Sequence, residues 1–299
     1  MKKPELTLAL LTLLIIIGAA AASLAGLSGF SGDPGPQVES LRGESYRLDG
    51  RGIYRNDTVS YAAQARGQDL ITLTVGIPLL LIGLFFSRRG SLRGSLLLAG
   101  TLGYFLYTYT SYVFLVSFNS LFLLYTFLFS ASLFAFILAF TNIDAPFLEK
   151  RLSPRFPRRF LGFFQIILGV LLLLMWLGRI APSMKGDIPP AGLEIYTTLV
   201  IQAMDLGIVV PAAFISGMLL LKRKPLGTVL SGVLLMKFFT MGLALDAMMI
   251  MMVRAGVTLS TAETAVFVTI TAVGLLATGL MFFSVRKADS PDPHSPRKS

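Results

Sequence analysis

The sequence contains no cysteine and only one histidine, and charged side chains make up 14% of its 299 residues. Without cysteine the chain forms no disulfide and has no thiolate for catalysis or metal binding. The single histidine, His294, lies in a polar tail, which argues against a haem held by two histidines and against a histidine-ligated zinc. We therefore expect no metal and no cofactor. Soluble domains carry about 25% charged residues, so the low charge content also argues against a soluble protein.

Long apolar runs take the place of the missing charge. Hydrophobic residues make up 54% of the chain, and the mean hydropathy is +0.73. These residues fall in blocks of about 20, the length that a helix needs to cross a bilayer. The pattern predicts an all-α, polytopic transmembrane helix bundle whose immediate partner is the lipid bilayer.

The apolar blocks predict eight spans and divide the chain into four parts. These are a first transmembrane helix or signal anchor in residues 1–29, an external loop in 30–67, a seven-helix bundle in 68–285 and a disordered cytoplasmic tail in 286–299. The first block follows two lysines and contains small residues at 19–22, so it is either a retained helix or a cleaved signal peptide. Its length favours retention, and cleavage would leave seven spans.

The basic residues predict the orientation of the bundle. If the N-terminus lies inside, the inner segments hold 17 of the 26 lysines and arginines, and the outer segments hold 8. This distribution obeys the positive-inside rule, so we expect a plasma membrane protein with both termini in the cytoplasm. The net charge of +10 comes from these short links, and we therefore expect no nucleic acid partner.

Two hairpins of the chain resemble each other. Each has a proline in its first helix, then a basic link, then a glycine at the start of its second helix. Aligning Pro78 with Pro211 also aligns Gly94 with Gly227 and places Tyr104 opposite Lys237. This spacing suggests two parallel four-helix repeats related by an axis along the membrane normal. The alternative is that two leucine- and glycine-rich hairpins resemble each other through composition alone.

The second of these hairpins carries charges at membrane depth. Asp205 and Lys237 lie on consecutive antiparallel helices, at depths that a lysine side chain can bridge at about 1.5 Å per helical residue. Because an isolated charge in the bilayer is costly, we expect the two to form a pair, directly or through water. Gln202 lies on the same helix face as Asp205 and is expected to complete the wall of a polar cavity. Pro211 and Pro78 should each kink a helix nearby.

Four further polar residues are candidates for ligand or ion binding. Tyr104 and Tyr107 lie deep in the third span and could line the same cavity, since a buried hydroxyl needs a partner. Asp69 and Asp246 lie near the outer ends of their helices. Asp69 is equally well explained by a local pair with Arg66, and Asp246 by contact with interfacial water. Before the second span, Asp57 is placed to cap a helix that begins at Thr58.

These residues leave three function classes open. The intramembrane acid and base, the prolines and the repeat favour a transporter or carrier of an unknown small-molecule solute, with proton coupling as one version. The external loop would also suit a membrane receptor or sensor with an outward-facing ligand pocket, and a structural subunit of a membrane complex is the third reading. The sequence has no GxSxG, HExxH or phosphate-binding motif, which argues against an enzyme.

Overall fold

The computed structural model describes residues 3–29, 33–186 and 188–286. It confirms the predicted helical membrane bundle. The helices are α1 Lys3–Ser28, α2 Val59–Ile71, α3 Ile77–Arg88, α4 Leu92–Phe114, α5 Phe122–Thr141, α6 Ala145–Lys150, α7 Arg158–Met184, α8 Val200–Met204, α9 Val210–Leu221, α10 Pro225–Arg254 and α11 Thr261–Ser284. A short hairpin of β1 Gln37–Glu39 and β2 Ser45–Arg47 lies in the predicted external segment.

Seven helices in the described part of the chain are long and apolar enough to cross a membrane. The helix α4 is not among them, because tyrosines and threonines dilute its apolar residues, although its 23 residues are long enough to span a bilayer. The count of eight spans therefore stays a prediction. Of the predicted tail, residues 286–299, only Arg286 lies within the described residues, and its N–H donates to the carbonyl of Arg151.

The helices pack as two groups of four that follow each other along the chain. The first group counts α2 and α3 as one interrupted helix. In it, α1 packs on α2, α3 and α5, and α4 packs on α3 and α5. In the second group α7 packs on α9, and α10 packs on α9 and α11. The two groups meet where α10 packs against α2 and α4. The polar residues of interest lie along this interface.

Each group contains a helix that is interrupted by a π-helical turn before its proline. The turns are Thr72–Gly76, between α2 and α3, and Asp205–Val209, between α8 and α9. The N–H of Ile77 bonds to the Thr72 carbonyl, and that of Val210 bonds to the Asp205 carbonyl, five residues back. A π-turn widens the helix, so Pro78 and Pro211 are accommodated without the clash that an α-helical turn would impose.

The two π-turns occupy the same position in the alignment that pairs Pro78 with Pro211. The two helices of each hairpin also approach closely at matched glycines. A Cβ atom on Gly94 would overlap the backbone at Phe86 and Ser87. A Cβ atom on Gly227 would overlap the backbone at Leu219 and Leu220. These positions are equivalent in the same alignment. The two hairpins therefore share backbone irregularities at matched positions, and the four-helix repeat itself stays a prediction.

The segment before α2 folds over one end of the bundle. The β-hairpin turns at Gly43, which has a φ of +77° that suits glycine, and a 3₁₀ turn follows at Gly52–Tyr54. Thr58, rather than the predicted Asp57, caps α2, since its side chain accepts the N–H of Tyr61 at 3.3 Å. The carboxylate of Asp57 instead accepts the N–H of Ser117, in the link between α4 and α5.

Candidate functional site

The π-turn of the second hairpin begins at Asp205, which is 8% exposed. One carboxylate oxygen accepts the hydroxyl of Tyr107 on α4 at 2.8 Å. The other accepts the indole N–H of Trp176 on α7 at 2.9 Å. Helices from both groups therefore meet at this carboxylate. We call Asp205, Tyr107, Trp176 and Lys237 the Asp205 centre.

Lys237 reaches the Asp205 centre from α10 but does not form the expected direct ion pair. Its Nζ atom lies 3.9 Å from the centroid of the Tyr107 ring, over the ring face. Within the described residues the ion pairs are Arg42–Glu44, Arg66–Asp49 and Arg158–Glu149. Tyr107 thus lies between the two charges: its ring faces the ammonium in a cation–π contact, and its hydroxyl donates to the carboxylate.

This arrangement offers a buried anion and a buried cation that are held apart. The Asp205 carboxylate is bound by two neutral donors, so its charge is not cancelled by a base in contact with it. The ammonium of Lys237 has three N–H donors and rests mainly on an aromatic face. Tyr107 and Trp176 are both half-buried. Such a centre is complementary to a small solute that carries opposite charges, or a donor and an acceptor.

The first hairpin carries a neutral counterpart at matched positions. Thr72 aligns with Asp205 and Tyr104 aligns with Lys237, and their hydroxyls lie 2.9 Å apart. The side-chain amide of Gln68 also donates to Tyr104 at 2.8 Å and to Thr108 at 2.7 Å. The structure therefore places Tyr104 in this neutral cluster and not in the Asp205 centre.

Two other predicted candidates lie on the same helices as the centre. Gln202 is buried on α8, three residues before Asp205. Asp246 lies on α10, nine residues beyond Lys237, where it is half-buried against Thr271 of α11. Its Oδ1 atom makes no hydrogen bond with the described residues. The structure thus keeps Gln202 beside the centre and places Asp246 apart from it.

Asp69 forms a second buried centre, within the first group of helices. It is 1% exposed, and its carboxylate oxygens accept the hydroxyls of Tyr54 at 2.6 Å and Tyr112 at 3.0 Å. Arg66 is ion-paired with Asp49, at 2.6 Å, so the local Arg66–Asp69 surface pair that the sequence allowed is not what holds Asp69. We call Asp69, Tyr54 and Tyr112, together with Ser23 and Tyr125, the Asp69 centre.

Sequence reasoning missed three of the donors in these centres. Trp176 was not singled out, although it is the only tryptophan of the chain and lies deep in a span. Tyr54 lies outside the spans, where a tyrosine carries no special signal. Tyr112 resembled an interfacial tyrosine, but it shares a helix face with Thr108, four residues earlier, and this spacing could have indicated a buried position.

A third polar cluster joins the two groups at the end where the β-hairpin lies. Asp57 accepts the N–H of Ser117, in the link between α4 and α5, at 2.8 Å, and the hydroxyl of Tyr196, in the link between α7 and α8, at 2.9 Å. Glu194, in the same link between α7 and α8, accepts the hydroxyl of Thr58. We call these five residues the Asp57 clasp. They connect segments that are far apart in the sequence and belong to both groups of helices.

Burial raises the pKa of Asp57 from its ordinary value of 3.8 to about 6, against the hydrogen bonds from Ser117 and Tyr196, which lower it. Burial also raises the pKa of Glu194. The folded protein therefore keeps a proton on Asp57 at pH values where the unfolded chain has lost it. The contribution of Asp57 to the free energy of unfolding is fully present below about pH 4 and is lost as the pH rises through about 6.

We expect the free energy of unfolding to fall by up to about 3 kcal/mol between pH 4 and pH 7 through Asp57, at about 1.4 kcal/mol per unit of pKa shift. Asp57→Asn keeps the acceptor oxygen without the charge and should remove this part of the slope. Unfolding curves of both proteins across this pH range provide the measurement. A variant with the same slope as the wild type would show that Asp57 is not the titrating group.

Comparison with known proteins finds no matching family model, no matching curated protein and no matching solved structure. Among the described residues there is also no group of three or more histidine, aspartate or glutamate side chains that could hold a metal ion. The assignment of a function therefore rests on the geometry of the centres.

Proposed function

We propose that this integral membrane protein is a carrier for a small polar solute, and that the Asp205 centre is its recognition site. The observation that carries the proposal is a buried carboxylate and a buried ammonium on either side of Tyr107, beside a π-turn and between the two groups of helices. Carriers built from repeats bind their substrates at such interfaces, on helices that are interrupted near the middle of the membrane. The predicted plasma membrane location and cytoplasmic termini belong to the same proposal.

The chemistry of the centre points to a zwitterion as the solute. An anionic group of the solute would accept hydrogen bonds from Lys237, and a cationic group would donate to Asp205. Tyr107 and Trp176 would flank the apolar part of the solute. A solute with only one charge would leave the opposite charge of the protein unmatched, which is costly in a desolvated site.

The only tryptophan of the chain lies in this site, so its fluorescence can report binding directly. The purified protein in lipid nanodiscs would be titrated with a small amino acid, a primary amine and a monocarboxylate. We expect a saturable change in Trp176 emission, with the zwitterion binding at least tenfold more tightly than either singly charged solute.

Two variants make this titration specific. Asp205→Asn combined with Lys237→Met removes both charges without stranding either, and it should abolish the response to the zwitterion. Asp246→Asn changes a carboxylate on the same helix as Lys237 but outside the centre, and it should leave the affinity unchanged. Equal responses in the wild type and in the double variant would overturn the assignment of the site.

A receptor is the second candidate, because the β-hairpin segment and the Asp57 clasp join both groups of helices at one end and could report a bound ligand. Uptake into proteoliposomes separates the two functions. A carrier accumulates or exchanges a labelled zwitterion across the bilayer, and an imposed proton gradient tests proton coupling. A receptor binds the zwitterion in nanodiscs but gives no uptake above empty vesicles.

A further inference from the structure

The Asp69 centre is a negatively charged pocket of oxygen atoms. Its closest charged groups are Arg66 and Asp49, which neutralise each other in a buried ion pair with N–O distances of 2.6 and 3.0 Å. An ionised Asp69 would therefore be one uncompensated negative charge, since the groups that bind it, Tyr54 and Tyr112, are neutral hydroxyls. A buried charge that is balanced only by hydrogen bonds is costly, so a compensating positive charge would stabilise this centre.

Two further hydroxyl groups beside the carboxylate are buried without a hydrogen bond. Ser23 of α1 is fully buried next to Asp69, and Tyr125 of α5 is 1% exposed, with its ring 5.0 Å from that of Tyr112. Neither hydroxyl oxygen has a contact of good hydrogen-bond geometry among the described residues, although Ser23 lies close enough to Asp69, and Tyr125 close enough to Tyr54, to interact with them. A buried polar atom without a partner costs about 1–3 kcal/mol. These two oxygen atoms therefore have lone pairs available for a ligand.

The end of α1 adds to the preference for a cation. Ser23 and Gly26 lie in the last two turns of α1, which ends at Ser28, and the carboxyl end of a helix carries partial negative charge. Gly26 lets this end approach closely, since a Cβ atom there would overlap the Asp69 carboxylate. The helix dipole and the carboxylate thus act in the same direction.

We propose that the Asp69 centre binds a monovalent metal cation, and that this ion is Na⁺. A set made only of carboxylate and hydroxyl oxygens suits a hard cation, and one positive charge balances the excess charge of the pocket. Asp69 supplies the charged ligand and Ser23 a neutral one, while Tyr54, Tyr112 and Tyr125 provide the surrounding hydroxyl oxygens. The tight contact at Gly26 favours Na⁺ over the larger K⁺.

The site can be linked to the Asp205 centre through α4. Tyr112 binds Asp69 and Tyr107 binds Asp205, and these two tyrosines lie five residues apart on one helix. A role for Na⁺ as the coupling ion rests on the proposed carrier function. Binding of Na⁺ to Asp69 does not, and it can be measured without any solute.

The test is thermal unfolding of the purified protein in NaCl, KCl and choline chloride at equal ionic strength and constant pH. We expect the melting temperature to rise with NaCl concentration and to saturate, because an ion that binds the folded state stabilises it. KCl should require at least tenfold higher concentrations, and choline should give no saturable rise. Ser23→Ala should weaken the Na⁺ response at least tenfold, and Asp69→Asn should remove it.

Asp246→Asn serves as the matched control and should keep the full Na⁺ response. Ser23→Ala removes a single oxygen atom, so it tests the site even if Asp69→Asn does not fold. Equal stabilisation by all three salts, or a full Na⁺ response in Ser23→Ala, would overturn the proposal. Stabilisation by acid without any Na⁺ response would also overturn it and assign a proton to Asp69. The Trp176 titration in Na⁺-free buffer tests the Asp205 centre separately, so either site can fail alone.

Discussion

Asp205→Asn is expected to lower the free energy of unfolding by about 3–5 kcal/mol, and Lys237→Met is expected to lower it by a smaller amount. The difference follows from the partners that each change leaves behind. Without the carboxylate, the buried ammonium of Lys237 has the Tyr107 ring but no opposite charge. Without the ammonium, the carboxylate keeps its hydrogen bonds to Tyr107 and Trp176.

The double variant Asp205→Asn/Lys237→Met should recover most of the loss of the aspartate variant, since it strands no charge. Unfolding by sodium dodecyl sulfate in mixed micelles, with all four proteins compared at one pH, measures the coupling. Additive losses would show that Tyr107 and the surrounding protein isolate the two charges from each other. Equal losses for the two single variants would show that the donors to Asp205 do not support it alone.

The second large effect is expected at the buried pair of Arg66 and Asp49. Arg66→Met should cost about 3–5 kcal/mol, because it leaves the carboxylate of Asp49, which is 6% exposed, without its partner. It also removes the hydrogen bond of 3.0 Å from Arg66 to the carbonyl of Gly29, just beyond α1. The combined change Arg66→Met/Asp49→Asn should be less harmful than Arg66→Met alone.

The exposed pair of Arg42 and Glu44 provides the comparison for this experiment. Its side chains are 28% and 43% exposed, so Glu44→Gln should have a much smaller effect on the free energy of unfolding than Arg66→Met. Proteolysis of the segment before α2 gives an independent measure, since loss of Arg66 should expose this segment and loss of Glu44 should not. If both changes have equal small effects, the buried pair does not anchor the segment to the bundle.

The helices could be predicted from the sequence because they depend on local patterns. Apolar runs of membrane length and basic links fix the spans, and the matched Pro78 and Pro211 indicate the repeat. The same prolines predicted an irregular helix near Asp205. They did not reveal that the irregularity is a π-turn that begins at Asp205, because a helix can accommodate a proline either by a kink or by a π-turn.

The composition of the centres could be predicted only in part. Helical periodicity placed Gln202 on the face of Asp205 and put Tyr107 at a suitable depth. It could not show that Tyr107 comes between Asp205 and Lys237, because this depends on how α4 is rotated against α10. Trp176 and Tyr54 were missed for a related reason, since each comes from a segment whose neighbours are set by tertiary packing and not by sequence distance.

The contact between Gly100 and α10 has a mechanical consequence. Gly100 of α4 lies against Met236 and the carbonyl of Val233, so the two helices approach closely there. If the proposed carrier function involves rocking of one group of helices against the other, this contact would be its pivot. Tyr107 lies seven residues away, or about 10 Å along the helix axis. A rotation of about 10° would then move its hydroxyl by about 2 Å, enough to break the hydrogen bond to Asp205. Under the proposed carrier function, the distance between the side chains of Tyr107 and Asp205 would therefore change with the angle between the two groups of helices.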